Sequence, residues 1–367
     1  MRSSRINALN KAALSLLAVL ITCVLSTRSA EAETKITDLP DLLQYVETSI
    51  TSVPAKPIEP SGTVARDRAT SFVTNALSGA VLGAAAGATR HIENAKARAW
   101  LDPIPLPEVP DVLNYTVSGN HSFAHQASLW GISTTALHAL NPGFNNDTLL
   151  EPGLKLCVQL KTASAPLPYA VGSTNRGRLL NAWLMPEGDE HSGYFLRSQR
   201  QRSWATQKTI QSLLAAFAAY AKTYPNGPRI NVGDFSKRRG GKIKPHASHT
   251  NGRDVDIGFV HTTPPDERHP EHFIRASAAN VDAEKTWFVL KSIIQTGNVK
   301  VIYLDKMVQK LIYKVAVKEL NDRQLKAIFS IPKHDDSSRA IFQHWPGHKN
   351  HAHIRFACPD NQPRCRK

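Results

Sequence analysis

Residues 246–259 read His-Ala-Ser-His-Thr-Asn-Gly-Arg-Asp-Val-Asp-Ile-Gly-Phe, and residues 348–356 read His-Lys-Asn-His-Ala-His-Ile-Arg-Phe. Imidazoles and carboxylates are the side chains that hold divalent metals and move protons near neutral pH. In the first segment Asn251-Gly252 signals a tight turn. After it Val255, Ile257 and Phe259 alternate with Asp254, Asp256 and Gly258, the period of a strand with one buried face. In the second segment Ala352, Ile354 and Phe356 alternate with His351, His353 and Arg355. If the two strands are neighbours with their polar faces on one side, His249, Asp256 and His353 meet around one ion. Two imidazoles and a carboxylate are a catalytic zinc set that leaves a fourth position for water. Closed structural zinc sites take four protein ligands, often cysteines, and this chain has too few. The expected cofactor is therefore Zn2+. Asp254 shares the face of Asp256, and two readings stay open for it: a partner of a ligand histidine, or a solvated carboxylate at the strand end. Ser248 lacks the GxSxG context of a serine nucleophile.

Other elements must hold these strands. Residues 206–223 carry a long Ala- and Leu-rich amphipathic pattern, predicting a helix that Pro225-Asn226-Gly227-Pro228 ends. Arg229–Phe235 and Val299–Leu304 read as strands, and Ala283–Thr296 as a helix. Together, residues 176–367 have the size of one α+β domain.

Residues 113–161 read as a separate unit. Tyr115-Thr116-Val117 and Leu154–Val158 are expected strands. Between them Ala124–Trp130 and Thr135–Leu140 have helical spacing, Gly131 stops the first helix, and Asn141-Pro142-Gly143 is a turn. This βααβ stretch resembles a LysM module in Tyr115-Thr116-Val117, Phe123, Ala127, Gly131-Ile132, Leu137, Leu140-Asn141-Pro142 and Leu150–Leu154. It has Asn120-His121-Ser122 where such modules often carry Gly-Asp-Ser/Thr. The resemblance implies binding of N-acetylglucosamine-containing glycan.

The first residues read as an export signal. Arg2, Arg5 and Lys11 precede an apolar run over 12–25, and Ala30-Glu31-Ala32 offers a cleavage site, so residues 1–32 are the expected signal peptide. The run is too short for a comfortable membrane span. Residues 33–112 are an expected linker or adaptor, with an Ala- and Gly-rich stretch at 76–88 and a stiff spacer at Pro103, Pro105, Pro107 and Pro110. Residues 162–175, with Pro166, Pro168 and Gly172, are expected to link the two folded units.

The chain carries a net charge of +15, which suits an anionic partner. Stem peptides of peptidoglycan carry free carboxylates and qualify. Nucleic acid qualifies on charge alone, but the cations are spread along the chain and an exported protein rarely meets it, so none is expected. Of the 4 cysteines, Cys23 leaves with the signal. Cys358 and Cys365 flank Pro-Asp-Asn-Gln-Pro and read as a local disulfide in an oxidising compartment. Cys157 is left over, either buried or pairing between chains.

The histidine segments resemble those of LAS-type zinc peptidases, and more closely the penicillin-insensitive murein endopeptidase family. The resemblance rests on His246-Ala247-Ser248-His249, Gly252, Asp254-Val255-Asp256, Val232-Gly233-Asp234, His348, His351–Arg355 and Cys358-Pro359. It implies an antiparallel-sheet LAS-type domain over 176–367, preceded here by the small βααβ LysM module, with His249, Asp256 and His353 as zinc ligands. His246 becomes a further ligand or a group behind the ligands, and His351 the catalytic histidine. Related carboxypeptidases use a Glu three residues before the last ligand, where this chain has Asn350. There is no HExxH either, which leaves His351 to orient the water or stabilise the oxyanion and favours an endopeptidase. The implied activity is zinc-dependent hydrolysis of D-Ala–diaminopimelate cross-links in the periplasm. A non-catalytic wall-binding protein with a vestigial metal site is the alternative.

Overall fold

The computed structural model describes residues 101–367 apart from 163–164, 198–199, 264–271, 335–336, 360 and 367. The expected signal peptide and most of the expected adaptor, including the Ala/Gly-rich stretch, lie outside the described residues.

In the N-terminal part, β1 (Val112–Thr116) pairs antiparallel with β4 (Lys155–Leu160). Helices Phe123–Trp130 and Thr134–Leu140 lie between them in sequence, with the small pair β2 (His121–Ser122) and β3 (Leu149–Leu150). This is the expected βααβ order. Ser122 and Ser133 cap the helix starts by accepting from the His125 and Ala136 amides, satisfying donors the helix itself cannot. Gly131, at φ 68°, ends the first helix in the left-handed conformation that favours glycine. Tyr115, Phe123, Ala127, Leu137 and Leu150 are buried between the layers. Asn141 fastens the second helix to β4: its amide donates to Leu137 O and Cys157 O, and its oxygen accepts from Cys157 N. Cys157 is a free, half-buried thiol.

The C-terminal part contributes β5 (Tyr169–Gly172), β6 (Gly177–Leu180), β7 (Trp183–Leu184), β8 (Tyr194–Leu196), β9 (Trp204–Ala205), β10 (Ile230–Val232), β11 (Asp254–Gly258), β12 (Val299–Leu304), β13 (Phe342–His344) and β14 (His351–Phe356). Six of these form one sheet in the order β13-β12-β14-β11-β10-β8. Its centre is antiparallel, as expected, but β13 runs parallel to β12 and β8 parallel to β10. The expected antiparallel sheet is therefore mixed, with a parallel pair at each edge. The cause is connectivity: a parallel neighbour needs a crossover. Helix Gln207–Thr223 provides it between β8 and β10, and helices Lys306–Ala316 and Asp322–Ile328 provide it between β12 and β13.

Ile210, Leu213 and Phe217 of helix Gln207–Thr223 join Leu290 and Ile293 of helix Ala283–Gln295 in one core with Val255, Ile257, Ala352, Ile354 and Phe356. The apolar faces of β11 and β14 thus point where the alternation placed them. The polar face of β11 differs from expectation, since Asp254 and Asp256 are buried as well, at 0% and 2% exposure.

The expected linker over 162–175 is also corrected. β5 lies inside it and pairs with β6, and Gly172 exchanges backbone hydrogen bonds with Arg364 and Arg366 at the far end of the chain. Nor does the N-terminal part hang free. Tyr115 Oη donates to Met185 O at 2.6 Å, Trp204 Nε1 to Trp130 O at 3.3 Å, and the Leu184 amide to Gln159 Oε1 at 2.9 Å. A Cβ on Gly131 would stand 3.0 Å from Gln201 Cβ, so the helix stop is also a point of close approach.

Candidate metal centre

β11 and β14 are neighbours, and their register sets Asp256 opposite His353 and Asp254 opposite Arg355. A cross-strand pair projects to the same side of a sheet, so the polar faces coincide. His249 arrives from the preceding turn, where it has a left-handed φ of 65° and its amide donates to Asp254 Oδ2 at 3.0 Å. Gly252, at φ 75°, closes that turn, and its carbonyl accepts from Thr206 N and Thr209 Oγ1 at the start of helix Gln207–Thr223.

Three atoms converge. His249 Nε2 is 3.3 Å from Asp256 Oδ1 and 3.1 Å from His353 Nδ1, and His353 Nδ1 is 3.0 Å from Asp256 Oδ1. Ligands at about 2.0–2.1 Å from a tetrahedral zinc stand about 3.3–3.4 Å from one another, so this spacing and donor set fit the ion. The other nitrogens of the two rings are placed differently. His249 Nδ1 meets Phe235 O at 2.8 Å. A carbonyl only accepts, so Nδ1 carries the hydrogen and the Nε2 lone pair faces the centre. His353 Nε2 lies 3.7 Å from Asp254 Oδ1, outside hydrogen-bond reach but close enough for charge attraction.

His246 Nδ1 lies 3.6 Å from Asp256 Oδ2, and its Nε2 donates to Asp234 Oδ2 at 2.7 Å. One donor atom each from His246, His249 and Asp256 fall within 4.8 Å of one another. Asp234 is held in turn by Arg202 Nη1 at 2.8 Å. His351 is set slightly back, with Nε2 3.8 Å from Asp256 Oδ1 and Nδ1 donating to Asn350 Oδ1 at 2.7 Å. His348 flanks it, with ring centroids 4.8 Å apart.

Burial pushes the Asp256 carboxyl up, but His249 and His353 outweigh this and hold it well below the usual range. Burial acts the same way on Asp254, and His353 with Arg355 reverses it. Arg355 grips Asp254 in a fork, Nε at 2.8 Å and Nη2 at 3.2 Å. His353 is pushed down by burial and pulled up further by Asp254 and Asp256, to about 9. Burial lowers His351 to about 4.

The structure thus gathers His246, His249, Asp256, His351 and His353 in one place. Of the two readings of Asp254, the solvated one does not fit its full burial, and its approaches to histidines are the His249 amide at 3.0 Å and His353 Nε2 at 3.7 Å. Several contributors went unassigned in the sequence: Arg202 and Asp234 behind His246, the Phe235 carbonyl behind His249, and Phe273, whose ring stacks on His351 with centroids 5.2 Å apart. Arg355 was legible as a face-mate of His353, and the register makes it the partner of Asp254.

A family model described as penicillin-insensitive murein endopeptidase matches residues 170–367, the stretch that begins in β5 and holds every residue of this centre. No curated protein matches the chain.

Proposed function

The chain belongs to the penicillin-insensitive murein endopeptidase family, which acts on peptidoglycan, and from that premise we propose that it is a zinc-dependent enzyme cutting D-Ala–diaminopimelate cross-links. The observation that carries the metal is the convergence of His249 Nε2, Asp256 Oδ1 and His353 Nδ1 at 3.0–3.3 Å. Zinc held by these three supplies Lewis-acid polarisation of a carbonyl and lowers the pKa of water from roughly 15.7 to about 7.

The chain's own residues divide the remaining work. His351 titrates at about 4, so it is neutral at neutral pH. With its Nδ1 hydrogen given to Asn350, its Nε2 offers a lone pair, not a hydrogen. That form orients an attacking water and takes its proton, and it acts on an oxyanion only once protonated. Phe235 and Asp234 turn the imidazoles of His249 and His246 by hydrogen bonds, and Asp254 attracts His353 by charge. His246, anchored on Asp234 and more exposed than His249, shapes the centre from its rim.

Residues 113–161 serve in this reading as a LysM module that holds glycan, supported by the βααβ order and the β1–β4 pairing. Docked as it is on the C-terminal part, it presents the enzyme to the wall in a fixed orientation. Export to the periplasm agrees with the Cys358–Cys365 disulfide. No helix among the described residues is long and apolar enough to cross a membrane.

Digestion of purified cross-linked muropeptides, with and without a zinc chelator and read by mass spectrometry, tests the proposal. Dimers cut to monomers only without chelator, and not by His353→Ala, are the expected result, and the product masses name the bond. Uncut dimers with a zinc-loaded protein that still sediments with peptidoglycan overturn the enzyme reading and leave a wall-binding protein.

A further inference from the structure

Val232-Gly233-Asp234 runs along the edge of the metal centre. Gly233 N donates to Asp256 O at 2.8 Å, and Asp234 holds His246. Asp234 is explained by its contacts, but Gly233 is not. It lacks the left-handed φ that requires glycine elsewhere in this chain, and so does Gly258 at the end of β11. Space is what these two glycines provide. A Cβ on Gly233 would stand 2.6 Å from Phe273 Cζ, and one on Gly258 would stand 3.2 Å from Phe273 Cδ1. Real Cβ contacts are essentially never as close as the first and are rarely as close as the second.

The ring admitted over these glycines lies against His351. The centroids are 5.2 Å apart and the planes differ by 21°, an offset stack. The Arg197 guanidinium sits over the same phenyl ring at 5.0 Å. The loop bearing Phe273 is tied to the strand bearing His351 by Ala276 N donating to Lys349 O at 2.8 Å, next to Asn350. On fixed backbone, the imidazole of His351 has two soft torsions. Asn350 fixes which way Nδ1 points, and the Phe273 ring fixes the plane.

We infer that Phe273 is a positioning residue for His351, and that Gly233 and Gly258 are glycines because a side chain at Gly233 would displace its ring and one at Gly258 would crowd it. The inference rests on the proposed role of His351. A displacement of about 1 Å at a reacting group can cost on the order of 100-fold in rate. Phe273→Leu is therefore expected to lower kcat on cross-linked muropeptide about 10- to 100-fold, with KM within about threefold. Gly233→Ala is expected to reproduce the loss with Phe273 itself unreplaced, by crowding its ring. Added to His351→Ala, Phe273→Leu is expected to cost nothing more, since both act through one group.

A second readout uses zinc-stripped protein with isotope-labelled histidine. The His351 ring protons, lying over a phenyl face, are expected upfield in the wild type and are expected to move downfield in Phe273→Leu. Unchanged kcat in Phe273→Leu, a raised KM at unchanged kcat, a full further loss in the His351→Ala background, or unmoved ring protons each overturn the inference. Wild-type protein that cuts no cross-link overturns the parent reading and this one with it. Wild-type cleavage with an unaffected Phe273→Leu overturns this one alone.

Discussion

Arg355→Leu tests the support beneath the metal centre without touching a proposed ligand. Asp254 is wholly buried and its carboxylate is held by the Arg355 fork at 2.8 and 3.2 Å. Removing one partner of a buried ion pair costs about 3–5 kcal/mol, because the other charge is left uncompensated. Two features move the expectation to the low end. The Arg355 side chain is 17% exposed, and Asp254 keeps the His249 amide at 3.0 Å and the nearby His353. The expected loss is about 3 kcal/mol, which for a unit of this size lowers Tm by roughly 6–12 °C. Arg355→Lys keeps the charge but not the fork, and about 1 kcal/mol is expected.

Thermal and urea unfolding of zinc-stripped protein at pH 7 reads these numbers without ligand linkage. The pH dependence has a definite sign. Asp254 titrates well below its ordinary range in the fold. Its contribution is thus complete above the unfolded value of about 3.9 and is lost as pH falls through the folded one. Losing Arg355 raises the folded value. The stability gap between wild type and Arg355→Leu is therefore expected to be widest near neutrality and to narrow in acid. A loss below about 1 kcal/mol, or a gap that widens on acidification, refutes the view that Arg355 neutralises a buried charge.

Four further outcomes are expected. Zinc content by mass spectrometry falls to background in His249→Ala, Asp256→Asn and His353→Ala, whereas His246→Ala still binds the ion with affinity reduced about 10- to 100-fold. Zinc-stripped His353, titrating at about 9, carries a proton at pH 7, so calorimetry in buffers of differing ionisation enthalpy should show His353 releasing about one proton per zinc at pH 7 and about half of one at pH 9. Replacing Cys358 and Cys365 by serine removes a bond closing a loop of sequence separation 7; about 2.5 kcal/mol of unfolding free energy is expected to go with it. Tyr115→Phe leaves Met185 O without its donor and is expected to cost about 1–2 kcal/mol, read as a downward shift of one transition shared by the N- and C-terminal parts.

How far the sequence could be read followed how local each determinant is. Alternation placed Val255, Ile257, Ala352 and Ile354 in the core because a strand's period is written residue by residue. It placed Asp254, Asp256, His351 and His353 on the other faces for the same reason. That β11 lies beside β14, with Asp256 opposite His353, is a long-range fact that no local pattern encodes. The same gap explains why Asp254 had two readings: only the register supplies Arg355, and only then can a carboxylate be buried. β5 was hidden in a Pro-rich stretch because much of its bonding goes to the chain's far end, at Gln362, Arg364 and Arg366. Phe273 carried no signal at all. It sits in a loop without periodicity, and its place is visible only in the glycines that make room for it.

Three carboxylates are buried around this centre, and their partners differ in kind. Asp234 has the Arg202 guanidinium besides His246, and Asp254 has the Arg355 guanidinium besides His353. Asp256 has imidazoles alone among the described residues: His246, His249, His351 and His353. A buried carboxylate without a permanent cation is costly. Asp256 meets that cost by a proton kept on a neighbouring ring, and Asp254 and Asp256 together draw His353 up to about 9. The centre is therefore short of one fixed positive charge at the point where three lone-pair atoms converge. A divalent cation held there would supply that charge, would discharge the proton from His353, and would leave Asp234 and Asp254 with the guanidinium partners they already have.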